Sequence, residues 1–202
     1  MHVTYRLHGS IPLAKKQKIT SSRNDAIEEL EASTAHLTGN LKSEAYRMAL
    51  RDINNKYEAD LEHVLHTQQA GPMHLNNPNI RHTVIDSWQY LQRQKEIVLY
   101  AICVMSNHVH VIVGTTNENV QLDIGQLMRR HKSHTGRLCN RLLGKVGSSF
   151  WAPNYFDRTI RDNAFITTMW YVLNNPVKAQ LVAEWRDWPG TCVHPDFLSH
   201  FV

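Results

Sequence analysis

Cysteine is scarce in this chain. Its three residues, Cys103, Cys139 and Cys192, are odd in number and widely spaced. No Cys-x-x-Cys occurs, which argues against both a zinc ribbon and a disulfide framework and fits a reducing, cytoplasmic setting. Long hydrophobic runs are lacking too. None approaches the length of a membrane span, and no signal peptide is expected ahead of Met1-His2. There is no internal repeat and no low-complexity tract, so neither a solenoid nor a disordered tail is indicated. Acidic charge does not dominate: 18 Asp and Glu stand against 22 Lys and Arg, a formal net charge of +4 before any of 13 histidines is protonated. That is a mild bias towards a polyanionic partner. What is present, 42% apolar residues over 202 positions, suits one folded domain (residues 1–202) with a real core.

Residues 3–7 alternate apolar and polar in strand fashion. Residues 20–75 are polar, but Tyr46, Leu50, Ile53, Tyr57, Leu61 and Val64 recur at steps of three and four, which predicts a long amphipathic helix. The segment reads as a helical insertion after the first strand and ends at Gly71-Pro72. Ile80, Val84, Trp88 and Leu91 mark a further helix. Residues 98–105 are nearly all apolar and fit a central strand. Residues 122–142 read as a helix with Ile124, Leu127, Met128, Leu138 and Leu142 inward, followed by a loop bounded by Gly144 and Gly147. A short strand is expected over 155–160 and a last helix from about Asn163, with Asp162 as cap and Pro176 as stop. The order β–α–β–β–α–β–α predicts an α+β, ferredoxin-like antiparallel sheet with helices on one face.

Two stretches carry chemistry. In Val104–Met105–Ser106–Asn107–His108–Val109–His110–Val111, strand alternation sends His108 and His110 to one face, roughly 6–7 Å apart along the strand. Two imidazoles on a rigid strand are ready ligands for a divalent metal, although an isolated His-x-His is more often just a half-buried strand. In Trp170–Tyr171–Val172–Leu173–Asn174–Asn175–Pro176, the apolar stripe of the helix is Phe165, Ile166, Met169, Val172 and Leu173. Tyr171 lies off that stripe, and Asn175 follows it by one turn on the same face. A partly exposed tyrosine and a helix-ending asparagine would look the same.

Taken together, the chain resembles the HUH single-tyrosine transposases, and within them the REP-associated tyrosine transposases, relatives of the transposases of small insertion sequences. The matching blocks are Val3–Leu7, Tyr100–His110, Leu127–Ser133, Phe150–Arg158, Ile160–Asp162, Tyr171–Val182 and Trp188-Pro189. The resemblance is dense from about residue 97 to 190 and thin before. Ser106, Gln180 and Cys192 depart from the usual Pro, Gly and Ser. The resemblance implies the same ferredoxin-like fold, a Tyr171 nucleophile, and a metal on His108 and His110 with Asn175 as third protein ligand. Oxygen and imidazole ligands with open positions suit Mg²⁺ or Mn²⁺, and ligand type alone equally admits zinc. The implied reaction is cleavage and rejoining of single-stranded DNA through a 5′-phosphotyrosine, on hairpin or palindromic repeat DNA near the bacterial nucleoid.

Arg129, Arg130, His131 and Lys132, followed by Arg137 and Arg141, form the best nucleic-acid patch, and Arg158, Arg161 and Lys178 lie near the catalytic blocks. Such charges are also common on a solvated face. Two other readings use the same residues: a nuclease whose metal activates water, with Tyr171 incidental, and a non-catalytic DNA-binding protein. The short connection from Asp157 to Asp162 limits how far the tyrosine helix can travel, which favours a monomer over a helix-exchanged dimer.

Overall fold

In a computed structural model, residues 1–36, 39–67, 71–117 and 121–201 are described, less the side chains of residues 40–42 and 162. They fall into two compact units, one of Ile11–Gly71 and one of Met1–Ser10 with Pro72–Val202. The first unit is a pair of helices, α1 (Leu13–Thr34) and α2 (Gly39–Thr67), packed against each other. Arg23 ties them: its Nε donates to Asn54 Oδ1 at 2.9 Å, and its guanidinium lies 5.4 Å from the Tyr57 ring centroid. The apolar steps from Tyr46 onward fall on α2. Helix α1 has no such stripe, so periodicity does not predict it.

The second unit is built on five strands: β1 (His2–Leu7), β2 (Val98–Val104), β3 (His108–Gly114), β4 (Trp151–Arg158) and β5 (Thr191–Val193). All pairings are antiparallel, in the order β4-β1-β3-β2-β5. The first four follow the ferredoxin-like order, and β5 extends the edge beside β2. Two helices fill the crossovers, α3 (Pro78–Arg93) and α4 (Ile124–Leu142). Each starts on a side-chain cap: Asn77 accepts from the Asn79 amide, and Asp123 accepts from the Gln126 amide, both at 2.9 Å.

Alternation along the strands separates two cores. Val3, Tyr5 and Leu7 of β1 and Val109, Val111 and Val113 of β3 face α3 and α4, meeting Ile80, Val84, Trp88, Leu127 and Met128. On α4 the inner face continues through His131, Thr135 and Cys139. Leu142, expected inward, is 54% exposed. The inner face of α4 runs through Cys139 to Leu143, which packs on the core, and Leu142 stands beside that face, turned to solvent.

The opposite sheet face carries Ala101, Cys103, Met105 and Ile112, and it is covered by α5 (Phe165–Leu173) through Met169, Val172 and Leu173. The two crossover helices thus share one face, as expected, and α5 adds a layer on the other. A nine-residue helix is too short to persist alone. Burying those three side chains, at about 1.5–3 kcal/mol each, holds it against the sheet. Helix α5 begins later than the sequence predicts. A 3₁₀ turn over Asp162–Ala164 precedes it, Ala164 stands at the cap, and the expected cap side chain of Asp162 lies outside the described residues.

Candidate active site

His108, His110 and Ile112 alternate with the core valines of β3, so both imidazoles point to the face that α5 covers. Each is only 1% exposed. Their rings stand at 82° to one another and their Nε2 atoms are 3.1 Å apart. Asn107 Oδ1 lies 2.7 Å from His108 Nδ1 and can accept its proton, which leaves His108 Nε2 as a lone pair. Two Nε2 atoms at that separation share either one proton or one cation. An ion with imidazole bonds of about 2.1 Å at a right angle holds its two nitrogens about 3.0 Å apart. The pair therefore fits a divalent metal.

The strand beside them adds two groups that sequence reasoning misses. Register pairs Thr4 with His110 and His2 with Ile112. Thr4 Oγ1 lies 3.0 Å and His2 Nε2 3.3 Å from His110 Nδ1. The His2 and His110 rings are stacked, 5.5 Å apart at 20°. Burial pushes the His2 pKa down to about 4, reinforced by the positive charge of Arg158, its cross-strand neighbour. The only signal for these residues is the polar alternation His2-x-Thr4, ambiguous until its partner strand is known.

Tyr171 comes from the opposing layer. Its ring meets His110 edge to face, 5.8 Å apart at 88°, and meets His2 at 6.0 Å and 76°. After α5 the chain turns at once into a short helix, α6 (Asn175–Lys178). Asn175 is fully buried and its Nδ2 donates to the Tyr171 carbonyl at 2.8 Å. Its Oδ1 is also buried and has no hydrogen-bond partner among the described residues. A buried amide oxygen left unmatched costs about 1–3 kcal/mol, and a cation is one way to satisfy it. Lys178, at the end of α6, places Nζ 4.1 Å from the Tyr171 ring centroid.

Of the sequence-predicted residues, the fold thus gathers His108, His110, Tyr171, Lys178 and, through His2, Arg158 around one face of the sheet. Asn175 sits one turn beyond Tyr171. Arg161 is exposed just after β4. Arg129, Arg130, Lys132, Arg137 and Arg141 lie elsewhere, on α4, which packs on the opposite face, and His131 is turned into the core there against Tyr5, Ser87 and Trp88, which removes it from any DNA patch. Two of the other basic residues on α4 are engaged within the protein. Arg130 forms a forked pair with Glu96 at 2.7 and 3.0 Å. Lys132 donates to the carbonyls of Ala152 and Pro153, and burial, then Arg6, lowers its pKa to about 8.

No curated protein matches the chain by sequence. Among solved structures, a REP-associated tyrosine transposase bound to a REP hairpin has a similar fold. That likeness has a TM-score of 0.50 at 21% identity, over 67% of this chain and 76% of that one. The family of IS200-like transposases matches residues 55–175, more than half the chain and a span that holds both histidines and Tyr171. This protein belongs to the IS200-like transposase family.

Proposed function

We propose that the protein cuts and rejoins single-stranded DNA at hairpin-bearing sites through a covalent 5′-phosphotyrosine on Tyr171, working in the cytoplasm on the nucleoid. One observation carries the reading: Tyr171 stands edge-on to His110, whose Nε2 converges with that of His108 in the same chain. The hairpin substrate follows the DNA bound by the structural relative.

His108 and His110 would hold the metal through Nε2, with Asn175 Oδ1 as the further protein ligand and Mg²⁺ or Mn²⁺ as the ion. When bound, such an ion neutralises the non-bridging oxygens of a phosphodiester and lowers the barrier to attack. Asn107 and the β1 side chains keep the histidine protons off the Nε2 atoms. Tyr171 Oη forms the new bond to phosphorus, and the bond to the 3′-oxygen of the preceding nucleotide breaks. The phenol loses one proton and the departing 3′-oxygen gains one. The new phosphotyrosine is again a phosphodiester, so a second 3′-hydroxyl can reverse the attack and join strands without an external energy source.

The test is a hairpin oligonucleotide labelled at its 3′ end, incubated with the protein and Mn²⁺ and run on a denaturing gel. Wild type should carry the label as a protein adduct. Tyr171→Phe should bind the DNA and form none, and EDTA should abolish the adduct in wild type. Cleavage without any adduct would replace this reading with a nuclease that uses water. Adduct formation by Tyr171→Phe would point to another nucleophile.

A further inference from the structure

We infer that His2 is a positioning residue of this site: it holds His110 so that Nε2 faces the metal, and it buttresses the edge of the Tyr171 ring. The inference rests on the function proposed above.

A ligating imidazole must keep its proton on the other nitrogen, and an acceptor placed there selects that tautomer. Among the described residues, Thr4 Oγ1 lies 3.0 Å and His2 Nε2 3.3 Å from His110 Nδ1. A hydroxyl alone is an ambiguous guide, because it donates as readily as it accepts. Were it to donate into Nδ1, His110 would carry its proton on Nε2 and could not ligate. With its own proton on Nδ1, His2 removes the ambiguity. Its Nε2 is also 3.5 Å from Thr4 Oγ1 and gives the hydroxyl hydrogen another acceptor. The threonine lone pairs are then left for the proton on His110 Nδ1. The stacking of the His2 and His110 rings fixes the tilt of the ligand. The same His2 ring touches Tyr171 edge-on, so one side chain spans the ligand and the nucleophile. The placement follows from β1 itself: His2 and Thr4 are two residues apart on one strand face, antiparallel to the His-x-His of β3.

Mn²⁺ binding, followed by the electron spin resonance of free aqueous Mn²⁺, tests this independently of catalysis, with His2→Leu, His2→Gln and His110→Ala as variants. Glutamine keeps an acceptor near the Nε2 position and leucine does not. His110→Ala should lose the site. His2→Leu should weaken Mn²⁺ by about tenfold, the usual scale for loss of an outer partner of a ligand, and His2→Gln should stay within about threefold of wild type. Metal-free melting curves of the two His2 variants should coincide, which excludes packing as the cause. Wild-type affinity in His2→Leu, or a His2→Gln variant as weak as His2→Leu, would overturn the assignment of His2 alone. A wild-type protein without a His110-dependent Mn²⁺ site would overturn the proposed metal mechanism and His2 with it.

Discussion

The ammonium of Lys178 lies over the ring of Tyr171, 4.1 Å from its centroid. The contact follows from the break at Asn174. Helix α5 stops there, α6 starts at Asn175, and the chain doubles back so that Lys178 returns over the residue seven positions before it. A cation held over a phenol stabilises negative charge as it develops on the oxygen. Lys178 is exposed, so the effect is modest, about 0.5–1 kcal/mol or two- to fivefold in rate. Lys178→Met should slow single-turnover adduct formation by about that factor and leave hairpin affinity in place, and Lys178→Arg should keep the rate. A loss of affinity at unchanged rate would make Lys178 a phosphate-binding side chain instead.

Of the basic residues proposed for DNA on α4, His131 is buried in the core, and Arg129, Arg130, Lys132 and Arg137 are not equivalent. Arg130 is committed to Glu96 and Lys132 to two carbonyls at the start of β4, whereas Arg129 and Arg137 project into solvent. Every phosphate that a side chain ceases to neutralise takes roughly 0.7–0.9 off the slope of log affinity against log salt. Arg129→Ala with Arg137→Ala should therefore flatten that slope in a hairpin-binding titration. Arg130→Ala should leave it unchanged. Lys132→Ala should act on the melting temperature more than on the slope. Equal flattening by all four would mean that DNA displaces the Glu96 and carbonyl partners on binding.

The parts of the fold that depend on alternation along a single strand are legible in the sequence. Valines 109, 111 and 113 announce one buried face and thereby assign His108 and His110 to the other. The step of four from Tyr171 to Asn175 is legible too, but the break at Asn174, which puts Asn175 in α6 rather than on the tyrosine helix, is not. His2 and Thr4 are not, because their meaning comes from pairing with a strand more than a hundred residues away. No local pattern encodes that register. Strand β5 is three residues long and owes its conformation to β2. Helix α1 lacks an apolar stripe, so the sequence gives no periodic signal for it, and its packing on α2 emerges only in the fold. Arg130 and Lys132 look alike in sequence, and only the fold shows which partners already claim them.

His131 sits on α4 inside the core shared with α3 and β1. The Tyr5 hydroxyl is 2.7 Å from its Nε2, Ser87 Oγ is 3.0 Å from its Nδ1, and the Trp88 ring stacks on it at 4.4 Å. Burial lowers its pKa to about 3, with smaller contributions from His134 and Lys132. In the unfolded chain the value is near 6.5, so between about pH 6.5 and 3 the unfolded state binds the proton that the folded state refuses. Its contribution to stability is fully present above pH 6.5 and is lost as pH falls, at up to about 1.4 kcal/mol per unit. His2, lowered to about 4, acts with the same sign. Urea unfolding of His131→Gln should show lower stability at pH 7, from the broken network, and a shallower decline between pH 6.5 and 4. Parallel declines in wild type and variant would assign the acid sensitivity to other groups.

Tyr171 meets His110 within one chain, and the geometry leaves little slack for an exchange. From the end of β4 at Arg158 to the start of α5 at Phe165 there are six residues, three of them in the 3₁₀ turn. The helix is then pinned by Met169, Val172 and Leu173 against β2 and β3, and the chain beyond it returns to pack Trp185 and Phe201 into the same core. Swapping α5 between two copies would rebuild these same contacts across chains, but only after undocking had exposed both sets of apolar side chains. A complete active site in each monomer is therefore the expected arrangement, and complementation tests it. A Tyr171→Phe protein keeps the histidines, and a His108→Ala protein keeps the nucleophile. Mixed in equal amounts with labelled hairpin DNA and Mn²⁺, the two should yield no more adduct than either alone. Recovery of the adduct in the mixture would mean that the tyrosine of one chain reaches the histidines of another.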